Sequence, residues 1–236
     1  MLAMSSYNSQ VRKSKMTYPQ KVVVLLSGGL DSTVTLAHLV AQPVERVERV
    51  HALIFDYAQS SSREISCAEQ LCLQWKVPYT IQRLDPAMLC GKTDIHQEIP
   101  ARNLIFIALA AAFAADLGFD TIALGAEPDS TYTDSTIAFL DKTSDLLGHF
   151  GMSLIAPVKR LTNKVSMVRR ALDLGVPLHL CHSSRSNVVD GQCKTSQLFL
   201  EAITCLLPNG FLPARAILAE LALVKSRHDP ERNIMY

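Results

Sequence analysis

The sequence lacks an excess of charge of either sign. Its 236 residues include 23 lysines and arginines against 22 aspartates and glutamates, which leaves a net charge of +1. The basic residues are scattered along the chain, so we do not expect the broad basic surface of a protein that binds nucleic acid or an anionic membrane. We therefore predict neither nucleic acid nor a membrane as a partner.

A hydrophobic run long enough to span a bilayer is also missing. The longest run is LIFIALAAAFAA, residues 104–115, whereas a membrane helix needs roughly 20 residues. The first residues include Arg12, Lys13 and Lys15 but no apolar core before a cleavage site, so no secretory signal is predicted. Without such a signal, the six cysteines indicate thiols or metal ligands in a reducing compartment. We expect a cytoplasmic protein.

Short β-branched runs alternate with helical patterns along most of the chain. KVVVLLS, VHALIFDY and DTIALGA are predicted strands, and YTIQRL and SLIAPV are shorter ones. The most apolar helix is predicted over residues 101–118, whereas residues 85–100 are expected to form a loop. This alternation is typical of a doubly wound parallel α/β sheet with right-handed crossovers. We predict a flexible tail over residues 1–18 and a single domain over residues 19–236, which ends in a helical and loop segment.

The stretch SGGLDS directly follows the first predicted strand. In a doubly wound sheet, ligands bind at the carboxyl ends of the strands. Gly28 and Gly29 allow backbone N–H groups to approach an anion, and the next helix directs its positive end to the same place. Ser27 and Ser32 add hydroxyl donors. The stretch predicts a phosphate site, with a tight turn capped by Asp31 or Ser32 as the alternative.

The two better-known phosphate loops, Gly-x-x-x-x-Gly-Lys-Ser/Thr and Gly-x-Gly-x-x-Gly, do not occur in the sequence. SGGLDS instead resembles the pyrophosphate loop of the PP-loop ATP pyrophosphatases, which cleave ATP between the α- and β-phosphates. The resemblance implies an adenine nucleotide alpha hydrolase-like fold, ATP as cofactor, and Mg²⁺ near Asp31. The implied nucleotide-binding residues are Ser27, Gly28, Gly29, Leu30, Asp31 and Ser32, with Phe55 and Tyr57 flanking the adenine.

Four later stretches resemble one family of this group, the 7-cyano-7-deazaguanine synthases (the QueC family). They are FDYAQSSSREISCAEQL, IPARNLIFIALAAAFAADLG, LGAEPDSTYTDSTIAFL and APVKRLTNKVSMVRRALDLGVPL. The resemblance implies an ATP-dependent ligase that adenylates 7-carboxy-7-deazaguanine and condenses it with ammonia. The product is first an amide and then the nitrile 7-cyano-7-deazaguanine of the queuosine pathway, with release of AMP and pyrophosphate. The resemblance also implies a homodimer.

The same resemblance assigns roles to individual side chains. The implied catalytic residues are Asp31, Ser32, Arg102 and Lys164, of which Lys164 would balance phosphate charge. The implied substrate residues are Gln59, Arg102, Asn103, Asp129, Tyr132 and Asp134. Plainer roles stay open for some of them: Arg102 as a surface ion-pair residue, Asp129 and Asp134 as turn residues or caps, and Lys164 as a solvated side chain.

The stretch CHSSRSNVVDGQCKTSQLF departs from the family's four-cysteine zinc site. Cys181 and Cys193 are in place, but Asp190 and Ser196 stand where the family has cysteines, and Phe199 replaces an arginine. Structural zinc needs four ligands. Either a mixed site forms from Cys181, Cys193, Asp190 and a nearby histidine, or the two cysteines are free thiols. We interpret the chain as a diverged member with an incomplete zinc site.

A second departure lies after the second predicted strand. Ala58, Ser60 and Ser61 stand where the family has glycine, arginine and histidine, so cations are missing on the substrate side. This difference favours an alternative in which the chain adenylates another acid, in specialised metabolism or defence. A third hypothesis is a nucleotide-binding partner subunit without catalysis. The apolar stretch FLPARAILAELAL would either supply a dimer surface or pack in the core.

Overall fold

The computed structural model describes residues 20–59, 61–90, 99–127, 130, 132–182 and 194–206. The predicted flexible tail and the stretch FLPARAILAELAL lie outside the described residues, so the predictions for them stay predictions. The division into a tail and a single domain is likewise a prediction.

In the described part of the chain, five strands form one parallel sheet in the order β3-β2-β1-β4-β5. The strands are β1 (Gln20–Leu25), β2 (Val47–Asp56), β3 (Tyr79–Arg83), β4 (Thr121–Leu124) and β5 (Ser153–Ile155). The central strand β1 pairs with β2 on one side and β4 on the other, and Val24 lies opposite both Ala52 and Ala123. The strand order reverses at β1, which opens a crevice outside the carboxyl ends of β1 and β4. The predicted doubly wound α/β fold is confirmed.

Seven α-helices accompany these strands in the described part of the chain. They are α1 (Leu30–Val40), α2 (Arg63–Trp75), α3 (Pro86–Cys90), α4 (Arg102–Leu117), α5 (Ile137–Gly148), α6 (Lys164–Asp173) and α7 (Lys194–Leu206). The same part of the chain includes three short 3-10 turns, at 133–135, 157–160 and 178–180.

Side chains of β1 alternate between two cores. Val22 and Val24 pack on the side of α1 and α2, whereas Val23 and Leu25 pack on the side of α4 and α5. A strand that is buried on both faces accounts for the uninterrupted apolar run VVVLL. A further layer of α6 and α7 packs outside α1, and Phe199 of α7 is fully buried there. This burial explains why an apolar residue occupies position 199.

The most apolar helix, α4, ends where the sequence predicts. Gly118 at its carboxyl end has φ of 68°, the left-handed conformation that glycine adopts readily. Ile107, Ala110 and Ala114 form its buried face, which packs on β1 and β4. Among the described residues, no helix is both long and apolar enough to cross a membrane.

Two element predictions are wrong, and each error involves a proline. Residues 86–90 form α3 within the predicted loop, because proline fits the first turn of a helix and Asp85 Oδ1 accepts the N–H of Ala87 at 2.9 Å. The strand predicted over SLIAPV ends at Ile155, because Pro157 has no N–H for the sheet and begins a 3-10 turn instead.

Candidate active site

Residues 26–29 form a tight turn between β1 and α1 at the carboxyl edge of the sheet, and residues 30–32 begin α1. Gly28 has φ of 80°, and a side-chain carbon at this position would overlap the carbonyl oxygen of Glu64. The carbonyl of Gly28 accepts the N–H of His182 at 2.8 Å. Position 28 therefore needs glycine both for its backbone conformation and for space.

The side chains of Ser27 and Ser32 meet across this turn. Their hydroxyl oxygens lie 3.0 Å apart, and Ser32 Oγ accepts the N–H of Ser27 at 3.1 Å. The N-cap residue of α1 is Gly29, which has no side chain to accept hydrogen bonds from the first turn. The first N–H groups of α1 have no intrahelical acceptor either. The turn can therefore bind an anion such as pyrophosphate.

The loop after β4 approaches this turn closely. A side-chain carbon at Gly125 would lie 2.5 Å from both N and Cα of Ser32. Position 125 thus also requires glycine, which the sequence analysis missed. The sequence does contain a signal for this requirement. Gly125 directly follows β4, the strand that neighbours β1 where the strand order reverses.

Lys164 lies between two carboxylates at this edge of the sheet. Its Nζ is 3.1 Å from Asp31 Oδ1 and 2.9 Å from Glu127 Oε1, and the residue is only 8% exposed. Burial disfavours the charged form of Lys164, but Asp31 and Glu127 outweigh this effect and raise its pKa. Burial raises the pKa of Asp31, and Lys164 opposes that rise. The alternative of a solvated Lys164 is wrong, and Glu127 was missed.

Aromatic rings form one wall of a cavity at the carboxyl ends of β1, β2 and β4. Phe55 stacks on Phe106 of α4 with ring centroids 4.4 Å apart, and Tyr57 lies 5.4 Å from the same ring. We call this space the edge cavity; it is lined by Ser27, Ser32, Phe55, Tyr57, Glu64 and Arg102, among others. The wall can contact a flat ring, and adenine binding stays a prediction. Phe106 was missed because an aromatic residue within an apolar helix carries no distinct signal.

Arg102 starts α4 and also lines the edge cavity. Its Nη1 donates a hydrogen bond to the Tyr57 hydroxyl at 3.1 Å. Within the described residues Arg102 forms no salt bridge, so the alternative of a surface ion pair does not hold there. Its guanidinium is therefore available to a carboxylate or phosphate of a ligand.

Asp134, which is distant from α4 in the sequence, caps the amino end of that helix. The N-cap residue Ala101 has no side-chain acceptor, and Asp134 Oδ2 accepts the N–H of Asn103 at 2.9 Å instead. The side chain of Asn103 donates to Asp134 O at 3.2 Å and to Ser135 Oγ at 3.0 Å. The observed contacts of Asp134 are thus those of a helix cap, one of the alternatives open from the sequence. A contact with the substrate stays a prediction.

Only some of the remaining predicted substrate residues that the structure describes line the edge cavity. Gln59 lines the edge cavity, and its Oε1 accepts the N–H of Tyr57 at 3.1 Å. Tyr132 is 43% exposed and does not belong to the described lining. Asp129 and Ser60 lie outside the described residues. Glu64, by contrast, lines the cavity and was missed, although it follows the second predicted strand closely.

Cys181 is buried beside the glycine turn rather than exposed for a ligand. It is 1% exposed, and burial raises the pKa of its thiol to about 12, with Thr33 opposing that rise. The next residue, His182, places its Nε2 2.9 Å from the hydroxyl of Ser61, which is also buried. Position 61, where the resemblance implies a histidine, is thus occupied by a packed serine.

The predicted zinc site is only partly within the described residues. Cys193, Asp190 and the side chain of Ser196 lie outside them. The described residues contain no group of three or more histidine, cysteine, aspartate or glutamate side chains that could hold a metal ion. They do not fit zinc by themselves, because a structural site needs four ligands. Zinc at Cys181 and Cys193 stays a hypothesis.

The glycine turn at the reversal of strand order and the aromatic wall beside it define a nucleotide-binding α/β protein of the PP-loop class. A solved structure of similar fold is the U34-tRNA thiolase NcsA from Methanococcus maripaludis with its [4Fe-4S] cluster. The two share a TM-score of 0.54 over 95% of this chain and 79% of that chain, at 16% sequence identity. At this identity the likeness concerns the fold alone.

Sequence comparisons narrow the class to a family. The profile of the queuosine biosynthesis protein QueC matches residues 21–204. A 7-cyano-7-deazaguanine synthase from Thermoplasma acidophilum is 33% identical over 186 residues, 67% of this chain and 76% of the relative. One from Leptospira interrogans is 30% identical over 204 residues, 73% of this chain and 82% of the relative. The chain belongs to the QueC family, which confirms the prediction of an ATP-binding PP-loop ligase.

Proposed function

We propose that this enzyme uses ATP to adenylate 7-carboxy-7-deazaguanine and condenses the adenylate with ammonia. The amide would then be activated by a second ATP and lose its oxygen to give 7-cyano-7-deazaguanine. The observation that carries the proposal is the turn at Gly28 and Gly29, which stands at the reversal of strand order beside a cavity with Arg102. The names of the curated relatives support the same reaction.

The nucleotide half of the site would bind the polyphosphate. Backbone N–H groups at the start of α1 and the hydroxyls of Ser27 and Ser32 would contact the departing pyrophosphate. Asp31 and Glu127 offer carboxylate oxygens suited to Mg²⁺, which would neutralise phosphate charge when bound. Lys164 balances these two carboxylates. Phe55 and Tyr57 would contact the adenine.

The acid half of the site would position the carboxylate. Arg102 would bind it through charge-assisted hydrogen bonds, and one carboxylate oxygen would attack the α-phosphorus of ATP. Pyrophosphate leaves, and the acyl adenylate then carries AMP as a good leaving group. Ammonia attacks the acyl carbon and AMP departs. The protein contributes mainly orientation and charge stabilisation to these steps.

One observation favours a second candidate, in which a different acid is adenylated. Ser61 is buried against His182, and Arg102 is the single cation among the described residues that line the edge cavity. For either acid we also propose a homodimer in the cytoplasm with no nucleic-acid partner, in keeping with the net charge of +1.

The test is release of pyrophosphate from ATP and Mg²⁺ with ammonium, with and without 7-carboxy-7-deazaguanine, and mass spectrometry of the product. We expect release that depends on the acid, and an amide or nitrile product. Asp31→Asn should lower the rate roughly 100-fold or more, whereas Asp145→Asn, at an exposed position on α5, should not change it. Stimulation by another acid alone would support the second candidate. Binding of ATP without stimulated release by any acid would indicate a partner subunit without catalysis.

A further inference from the structure

Glu64 is the one carboxylate among the described residues that line the edge cavity. It lies in the first turn of α2, and its backbone carbonyl packs against Gly28 of the glycine turn. The same cavity contains the hydroxyl of Ser27 and the guanidinium of Arg102. The position of Glu64 is thus fixed relative to both the proposed pyrophosphate site and the proposed acid site.

No donor from the described residues hydrogen-bonds to the Glu64 carboxylate. The other carboxylates near this edge are engaged: Asp31 and Glu127 with Lys164, and Asp134 with Asn103. Burial raises the pKa of Glu64 to about 7, while the charge of Arg102 opposes that rise. A half-buried carboxylate without a donor, facing a cavity, is suited to accept a proton or hydrogen bond from a ligand.

The proposed reaction contains a step that needs such a group. Ammonium has no lone pair and must lose a proton before its nitrogen can attack the acyl adenylate. A carboxylate attracts the cation to the site and can also accept the proton. This inference therefore rests on the proposed function and specifies how its second substrate is handled.

We propose that Glu64 binds the ammonium ion in the edge cavity and is the general base that converts it to ammonia. The N–H bond breaks, its proton passes to a carboxylate oxygen of Glu64, and the electron pair stays on nitrogen. The nitrogen then forms a bond to the acyl carbon, and the bond from that carbon to the oxygen of AMP breaks, with the electron pair leaving on AMP. The second proton is lost from the new C–N nitrogen to water.

The test separates adenylation from attack by nitrogen in the variant Glu64→Gln. Adenylation is measured as exchange of labelled pyrophosphate into ATP that depends on the acid. Attack is measured as amide formed from ammonium, and as hydroxamate formed from hydroxylamine, which is already neutral at pH 7. We expect amide formation to fall roughly 100-fold or more, while exchange and hydroxamate formation persist. Glu45→Gln, at an exposed position before β2, should leave all three unchanged.

Other outcomes overturn the inference in distinguishable ways. Unchanged amide formation in Glu64→Gln would show that this carboxylate is not the base. Loss of exchange and of hydroxamate formation together with amide formation would assign Glu64 to adenylation or to folding instead. Absence of acid-dependent exchange in the wild-type enzyme would contradict the proposed function itself, and this inference with it.

Discussion

Asp31 and Glu64 occupy equivalent places in the fold but have different surroundings. Each lies in the first turn of the helix that follows a neighbouring strand, Asp31 after β1 and Glu64 after β2. Asp31 pairs with a buried lysine at 3.1 Å, whereas Glu64 has no hydrogen-bond donor among the described residues and lines a cavity. A carboxylate at the same topological position therefore acquires its role from its neighbours.

Both residues adjoin the glycine turn through the backbone. Glu64 contributes the carbonyl that excludes a side chain at position 28, and Asp31 lies three residues after Gly28. Burial raises the pKa of both carboxyls; Lys164 opposes this rise at Asp31 through its charge and a hydrogen bond, whereas Glu64 is opposed by the charge of Arg102 alone. We therefore expect Asp31 to serve phosphate and metal binding and Glu64 to serve proton transfer.

The largest effect is expected for Gly28→Ala, which would force the two helix starts apart. The backbone of the alanine must adopt a left-handed conformation, and its side chain overlaps the carbonyl of Glu64. The free energy of unfolding should therefore fall by about 4 kcal/mol. Urea denaturation measures this fall. Gly118→Ala is a matched control, since Gly118 has φ of 68° but open space around its Cβ position, and it should lose only about 1 kcal/mol. Equal losses at both positions would contradict the close approach.

Lys164→Met should destabilise the folded protein at the site where Lys164 pairs with Asp31 and Glu127. It leaves Asp31 and Glu127 close together without the cation, and we expect the free energy of unfolding to fall by about 3 kcal/mol. Lys142→Met, at an exposed position on α5, serves as the control and should change stability little. A loss below about 1 kcal/mol would mean that solvent already screens the two carboxylates.

Glu64→Gln should change how stability depends on pH. The ordinary pKa of Glu64 is 4.5 and burial raises it to about 7 in the folded protein, so the native state binds more protons between these values and stability falls as pH rises. The variant should be more stable than the wild type by about 2 kcal/mol at pH 8 and equal to it near pH 4.

Three groups face this carboxyl from the elements packed around it. They are the guanidinium of Arg102, the hydroxyl of Tyr57 and the thiol of Cys67. Burial raises the pKa values of Tyr57 and Cys67, so both stay neutral over this pH range. Urea denaturation of both proteins at several pH values measures the difference, with Glu45→Gln as the control. Parallel curves for wild type and Glu64→Gln would show that Glu64 has an ordinary pKa.

Much of the fold and the nucleotide half of the site could be predicted because these signals are local. Apolar runs and helical periodicity within a few residues identify the alternating elements. The residues of SGGLDS are contiguous, so their turn chemistry and their place after a buried strand are visible in the sequence. The resemblance to the QueC family rests on short stretches of the same kind and is confirmed by the match over residues 21–204.

The roles of single charged residues were predicted less well. The sequence left open that the side chain of Lys164 is solvated, and Glu64 and Glu127 were missed. Charged residues on helix starts and loops are common, and nothing local shows which of them becomes buried. Asp134 illustrates the same difficulty, because its contact is the N–H of Asn103, 31 positions away in the chain.

The order of the strands along the chain, the glycine turn and the family follow from the sequence alone, because each depends on residues adjacent in the chain. The tertiary structure decided which groups meet at the sheet edge. Lys164 reaches Asp31 across 133 positions, and His182 reaches Ser61 across 121. Such contacts depend on how the strands are ordered and how closely their loops approach, and they determine which carboxylate is neutralised and which one faces the cavity.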